Sequence, residues 1–175
     1  MDNGIPPLPD FNNPASVDVT IEVDLPAPES GSAASLVTAI RLAVGAVAEL
    51  RGFCRGRIGV LVTDDETIRE INVRHLNHDY PTDVISFTYS RSSDAVEGEL
   101  VASLCAAQSE APDVGWDWRS ELLLYVIHGT LHICGLEDSD EQQRREMRSA
   151  EQEVLGRLGM ALPLPAKATI EAESS

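Results

Sequence analysis

The chain has 175 residues, of which 43% are hydrophobic and 24% charged, a balance that fits one globular domain with a buried core. Its formal net charge of −16 excludes nucleic-acid binding over the whole surface, so any such contact has to be local. The three cysteines, Cys54, Cys105 and Cys134, form no close pair and speak against a disulfide framework; with no secretory leader and no apolar run long enough for a bilayer, a cytoplasmic protein without a membrane span is expected.

Residues 1 to about 15, rich in proline, asparagine and aspartate, read as a loose tail. Val17 to Val23 alternates apolar and polar, as a strand does. Pro26 to Ser32 connects it to an amphipathic helix marked by Leu36, Ile40, Val44, Val47 and Leu50 and stopped at Gly52. Arg57 to Thr63 is a second strand, rich in branched residues. Thr63-Asp64-Asp65-Glu66 has the form of a capping box and opens a short helix through Ile71. A polar loop over 72–81 leads to a third strand, Thr82 to Ser90, with Val84 and Ser86 on one face and Ile85 and Phe87 on the other. A turn at Ser92-Ser93-Asp94 and a fourth strand, Gly98 to Ser103, complete a hairpin. A short helix from Ala106 to about Glu110 follows. Asp117 is placed to cap a long apolar helix that runs from Glu121 to Ile133. Ser139, with Gln142 three residues on, opens a last helix whose stripe of Met147, Ala150, Val154 and Leu158 faces inward and which Gly159 ends. Residues 161–175 form a second tail, leaving 16–160 as the domain. Two β-α units, a hairpin and then helices make a small α+β domain, its mixed four-stranded sheet packed with about five helices.

All four histidines fall in two clusters, His75 and His78 in the polar loop and His128 and His132 on the long helix. Four residues on a helix turn the chain by about 40° beyond one full turn, so both imidazoles can reach one ion. On an otherwise apolar helix an unpaired imidazole would be costly. Gly135 can take the left-handed backbone that ends a helix, after which Glu137 or Asp138 can swing back as a third ligand. Two neutral imidazoles and one carboxylate make a three-ligand zinc site with an open position, where a bound water becomes acidic enough to act as a nucleophile near neutrality. Cys134 lies about 200° round the helix from His132 and belongs to the core. Gly129 follows His128 where a zinc protease carries its glutamate base, which argues against peptide hydrolysis by that route. It lets either a substrate or a packing partner come close. Trp116 and Trp118 either stack bases or bury the helix start. Arg51, Arg55 and Arg57 form the one dense basic patch, read as exposed surface or as a groove for an RNA backbone.

His128-Gly129-Thr130-Leu131-His132, followed by Gly135, Leu136, Glu137 and Asp138, resembles the metal motif of the YbeY family, bacterial metal-dependent endoribonucleases that mature ribosomal RNA. Asp79-Tyr80-Pro81-Thr82-Asp83-Val84-Ile85-Ser86-Phe87 is similar to the family's Asp-x-Pro-Thr-(Asp/Asn)-Val-Leu-Ser-Phe segment. Gly98-Glu99-Leu100 and the last helix, with Met147, Glu151 and Leu155 to Gly159, fit in the same order. Two departures stand out. The family usually places a third histidine where this chain has Asp138, a swap also seen in some zincin proteases. It often has an arginine where this chain has Leu76, and Arg74 is the nearest arginine that could take the phosphate contact.

The resemblance implies a zincin-like fold and a zinc-dependent endoribonuclease that cuts single-stranded RNA, ribosomal RNA above all, in ribosome biogenesis, with the ribosome or small-subunit proteins as further partners. One Zn2+ would be held by His128, His132 and Asp138, with Glu137 the competing third ligand. Arg74, Asp79 and Thr82 are the candidate substrate contacts, and the loop histidines can support them. The nucleophile is water or the RNA's own 2′-hydroxyl. Asp83, Asp79, Glu137 and a metal-bound hydroxide are candidates for the base. Two rival functions are a ribosome-assembly binding factor with a closed, structural zinc and a metallohydrolase with a non-RNA substrate; the negative charge favours these a little, because an acidic protein repels RNA except at a local groove.

Overall fold

The structure, a computed structural model, describes residues 17–24 and 32–160. The expected tails, 1–15 and 161–175, and most of the connection that begins at Pro26 lie outside the described residues. In chain order the elements are β1 (Val17–Val23), α1 (Ser32–Leu50), β2 (Arg55–Thr63), α2 (Asp65–Leu76), β3 (Val84–Arg91), β4 (Ala95–Ser103), α3 (Leu104–Val114), α4 (Trp118–Ile133) and α5 (Glu141–Arg157). The sheet order is β1-β2-β4-β3, with β1 and β4 parallel to β2 and β3 antiparallel to β4. This is the expected α+β architecture with a mixed four-stranded sheet and five helices.

Alternation along the strands decides the layers. Ile58, Val60, Val62, Leu100 and Ala102 point to one face and meet Ile40, Val44 and Val47 of α1 and Leu122, Val126 and Leu131 of α4 in the main core. On the other face a smaller cluster of Ile68, Ile85 and Val101 seats α2. α4 packs on the sheet, α1, α3 and α5, and Leu122, Val126, Ile127, Leu131 and Ile133 are all fully buried. Among the described residues no helix is long and apolar enough to cross a membrane.

Two helix starts lie one residue beyond the expected caps. Thr63 stays in β2, paired with Ser103, so Asp64 caps α2 by accepting the Thr67 N–H at 2.8 Å. Asp140, not Ser139, caps α5, and it is Gln143 that completes the capping box. α2 runs on to Leu76 rather than stopping at Ile71, and Asn77, with φ 57°, ends it in the left-handed region. α3 is also longer than expected and accommodates Pro112 inside it. At Gly129 a Cβ would lie 3.0 Å from Val84 Cγ2, so this glycine serves helix-to-sheet packing.

Candidate metal centre and its cleft

Asp117 starts α4 by accepting the Ser120 N–H at 2.8 Å. Most of the helix is buried, and the half-buried side chains of His128 and His132 emerge together near its C-terminal end. Their rings meet edge to face with centroids 4.6 Å apart, and the two Nε2 atoms are 3.0 Å apart. Gly135, at φ 99°, turns the chain back, and the Leu136 N–H closes on the Leu131 carbonyl at 3.0 Å. That turn delivers Asp138, whose Oδ2 lies 3.5 Å from His128 Nε2 and 3.7 Å from His132 Nε2. Arg144 holds the same turn from α5 by donating to the carbonyls of Asp138 and Ser139, both at 3.3 Å.

The far side of each imidazole is anchored. His132 Nδ1 donates to the Leu136 carbonyl at 2.9 Å, and His128 Nδ1 donates to Glu151 Oε1 at 2.7 Å. A carbonyl and a carboxylate can only accept, which assigns the ring protons to Nδ1 and leaves lone pairs on both Nε2 atoms. Two lone pairs and a carboxylate oxygen therefore converge. Without a positive charge between them they repel, so the 3.0 Å approach of the two nitrogens is not a hydrogen bond of the neutral rings. Donors held about 2.0–2.1 Å from one tetrahedral ion stand about 3.3 Å apart, and the observed edges of 3.0, 3.5 and 3.7 Å bracket that value. These residues could hold a metal ion. Their side chains keep 27%, 22% and 42% of their exposure, so the group opens to solvent. Burial disfavours a charged His128, but the hydrogen bond and charge of Glu151, helped by Asp138 and Asp83, outweigh it and raise its pKa. Burial pushes the Cys134 thiol up to about 12, and Cys134 is not in the converging group.

The sequence pattern described as Endoribonuclease YbeY matches residues 30–159. The chain belongs to the YbeY family. The relative of that name from Rhodopirellula baltica is 48% identical over 129 residues, 73% of this chain and 66% of the relative. That from Porphyromonas gingivalis is 42% identical over 100 residues, 57% and 66% of the two chains. These matches thus span just under two thirds of the relatives' length. The solution structure of TM1509 from Thermotoga maritima shares the fold, with a TM-score of 0.53 at 20% identity over 81% of this chain and 91% of that one.

At the position of the YbeY pattern's third histidine, this chain brings Asp138 to both Nε2 atoms. Glu137 is 61% exposed and stands 4.0 Å from His132 Nδ1, a nitrogen already engaged with Leu136. Glu137 and the two histidines border a cleft of about 450 Å³ along β3, an outer strand of the sheet. Thr82 and Asp83 line this cleft; the Thr82 hydroxyl and the Val84 N–H both donate to Asp83 Oδ1, at 3.0 and 2.8 Å. An asparagine oxygen, which the family pattern also allows there, could accept the same bonds. Asp79 lies apart, bound to Arg69 at 2.6 Å in a separate depression that also holds Arg74. Arg74 makes no ion pair among the described residues. His75 packs edge-on against Phe87, while His78 borders the cleft. Trp116 and Trp118 pack against the core, and Arg119 covers the Trp118 ring at 5.0 Å. The arginine patch is partly neutralised, Arg55 by Asp94 at 2.6 Å and Arg57 by Asp18 at 3.8 Å. Sequence reasoning gave no role in the site to Glu151 or Tyr80. Glu151 had a signal, a carboxylate on the inward stripe of a core helix; nothing in the sequence marked Tyr80.

Proposed function

We propose that this chain is a zinc-dependent endoribonuclease that cuts single-stranded RNA in ribosomal RNA maturation, working in the cytoplasm beside the ribosome. The observation that carries this reading is the convergence of two imidazole lone pairs and the Asp138 carboxylate at an open cleft, in a chain of the YbeY family. His128, His132 and Asp138 would hold one Zn2+. Bound there, zinc would polarise a phosphoryl oxygen and acidify the attacking hydroxyl. Glu151 and the Leu136 carbonyl keep both rings in the tautomer that presents Nε2. Thr82 stands at the cleft wall, where its hydroxyl could turn from Asp83 to donate to a phosphate. The retained exposure of all three donors supports an open site over a closed, structural one.

The test pairs metal analysis with cleavage of a defined single-stranded RNA by wild type and His132→Ala. About one zinc per chain and cleavage lost in the variant is the expected result. Cleavage that survives His132→Ala would remove the metal from the reaction, and peptidase activity lost with the same change would favour a different hydrolase.

A further inference from the structure

We propose that His78 and Tyr80 form a stacking platform for one unpaired nucleobase of the RNA strand; this deepens the endoribonuclease reading and rests on it. The two rings lie nearly parallel, 15° apart with centroids at 5.3 Å, and the Tyr80 hydroxyl is 3.1 Å from His78 Nδ1. Such a spacing is an offset stack. Tyr80 is 53% exposed and His78 is exposed as well, so the pair presents aromatic surface to solvent. Both residues border the cleft that His128 and His132 border.

The backbone beneath the pair is fixed before any ligand arrives. Asn72 is 2% exposed, and its Nδ2 donates to the Tyr80 carbonyl at 2.9 Å. The His78 N–H donates to the Asn72 carbonyl at 3.3 Å, just after the left-handed turn at Asn77. Ordering the loop on binding is therefore largely avoided. Charge explains why a platform is needed. Among the described residues the cleft is lined by Asp83 and Glu137 but by no lysine or arginine, on a chain of net charge −16. Long-range attraction cannot hold an RNA strand here, whereas base stacking is indifferent to that charge. Only a base free of a partner strand can offer its face, which suits single-stranded RNA. Tyr89, 62% exposed, is a poor second platform: its hydroxyl donates to Glu99 at 2.8 Å, in a cavity that also holds Glu22 and none of the metal-centre histidines.

The experiment uses zinc-loaded protein and a short oligouridine, intact or with a single abasic site moved along it. Tyr80→Ala should raise KM roughly 5- to 100-fold, with a much smaller effect on kcat and the zinc content of wild type. Tyr80→Phe should recover most of that loss, and His78→Ala should show a smaller rise in KM. One abasic position should raise KM for wild type and cost Tyr80→Ala nothing further. An unchanged KM in Tyr80→Ala, or an abasic penalty equal in both proteins, would overturn the platform while leaving the nuclease reading intact. Wild-type protein that cleaves no oligouridine would overturn both. Should Tyr80→Ala fold poorly, the abasic scan of wild type decides: no sensitive position means no platform.

Discussion

Glu151 is 5% exposed, yet its carboxylate is fully used: Oε1 accepts from His128 and Oε2 lies 3.6 Å from Arg148. A buried carboxylate behind a ligand imidazole fixes the ring and strengthens its donor nitrogen. Glu151→Gln should therefore weaken zinc binding roughly 10- to 100-fold in competition with a chelator, while the far-ultraviolet spectrum of the protein stays that of wild type. The third donor is tested in the same assay. Asp138→Asn is expected to lose metal and Glu137→Gln to keep it; the reverse would move the donor to Glu137. At this scale the sequence was informative where spacing speaks, as in the four-residue step from His128 to His132. Asp138 was expected ahead of Glu137, and the turn at Gly135 brings Asp138 to both imidazoles while Glu137 stands exposed. The candidate substrate contacts do not share one cleft: Arg74 and Asp79 are near Thr82 in the chain but lie in a different depression, because α2 continues to Leu76 and carries the arginine away.

At the scale of elements, α4 is seated by residues that make room for it. A Cβ on Gly98 would fall 2.6 Å from the Phe87 carbonyl oxygen and 2.7 Å from Ile133 Cγ2, next to His132. Gly98→Ala should cost about 1–3 kcal/mol through overpacking, read as a lower urea midpoint. A midpoint equal to wild type would mean that strand and helix separate more easily than their packing suggests. Strand positions, the amphipathic α1 and the Asp117 cap were all legible, because each rests on a local pattern. Helix starts slipped by one residue where two capping residues adjoin, as at Thr63-Asp64 and Ser139-Asp140, since pairing across the sheet or the reach of Gln143 decides between them. The C-terminal half of α2 was hidden because its buried inner face ends in Asn72, a polar residue whose partner is the Tyr80 carbonyl.

Across the whole molecule, acidity shapes behaviour away from the metal centre. Glu121 is 7% exposed, and burial raises its pKa; Glu110 and Asp83 add to the rise and the Tyr125 hydroxyl opposes it. A carboxyl whose folded pKa exceeds its unfolded value stabilises while protonated, and that contribution is lost as pH climbs from the unfolded value of about 4.3 through the folded one. Glu121→Gln should then gain thermal stability relative to wild type as pH rises over that window; a difference independent of pH would mean that Glu121 titrates normally. A last consequence concerns α5. It docks mainly on α4 and α1, and it is tied to the centre twice, by Glu151 from within and by Asp138 in the connection before it. Detaching this helix would break both ties, so a metal held at the centre would act as a latch on one sub-global opening. Amide exchange in α5 should slow on zinc loading, by about 100-fold at a free ion level of about 100 times Kd, while exchange in the β2–β4 ladder stays as it was.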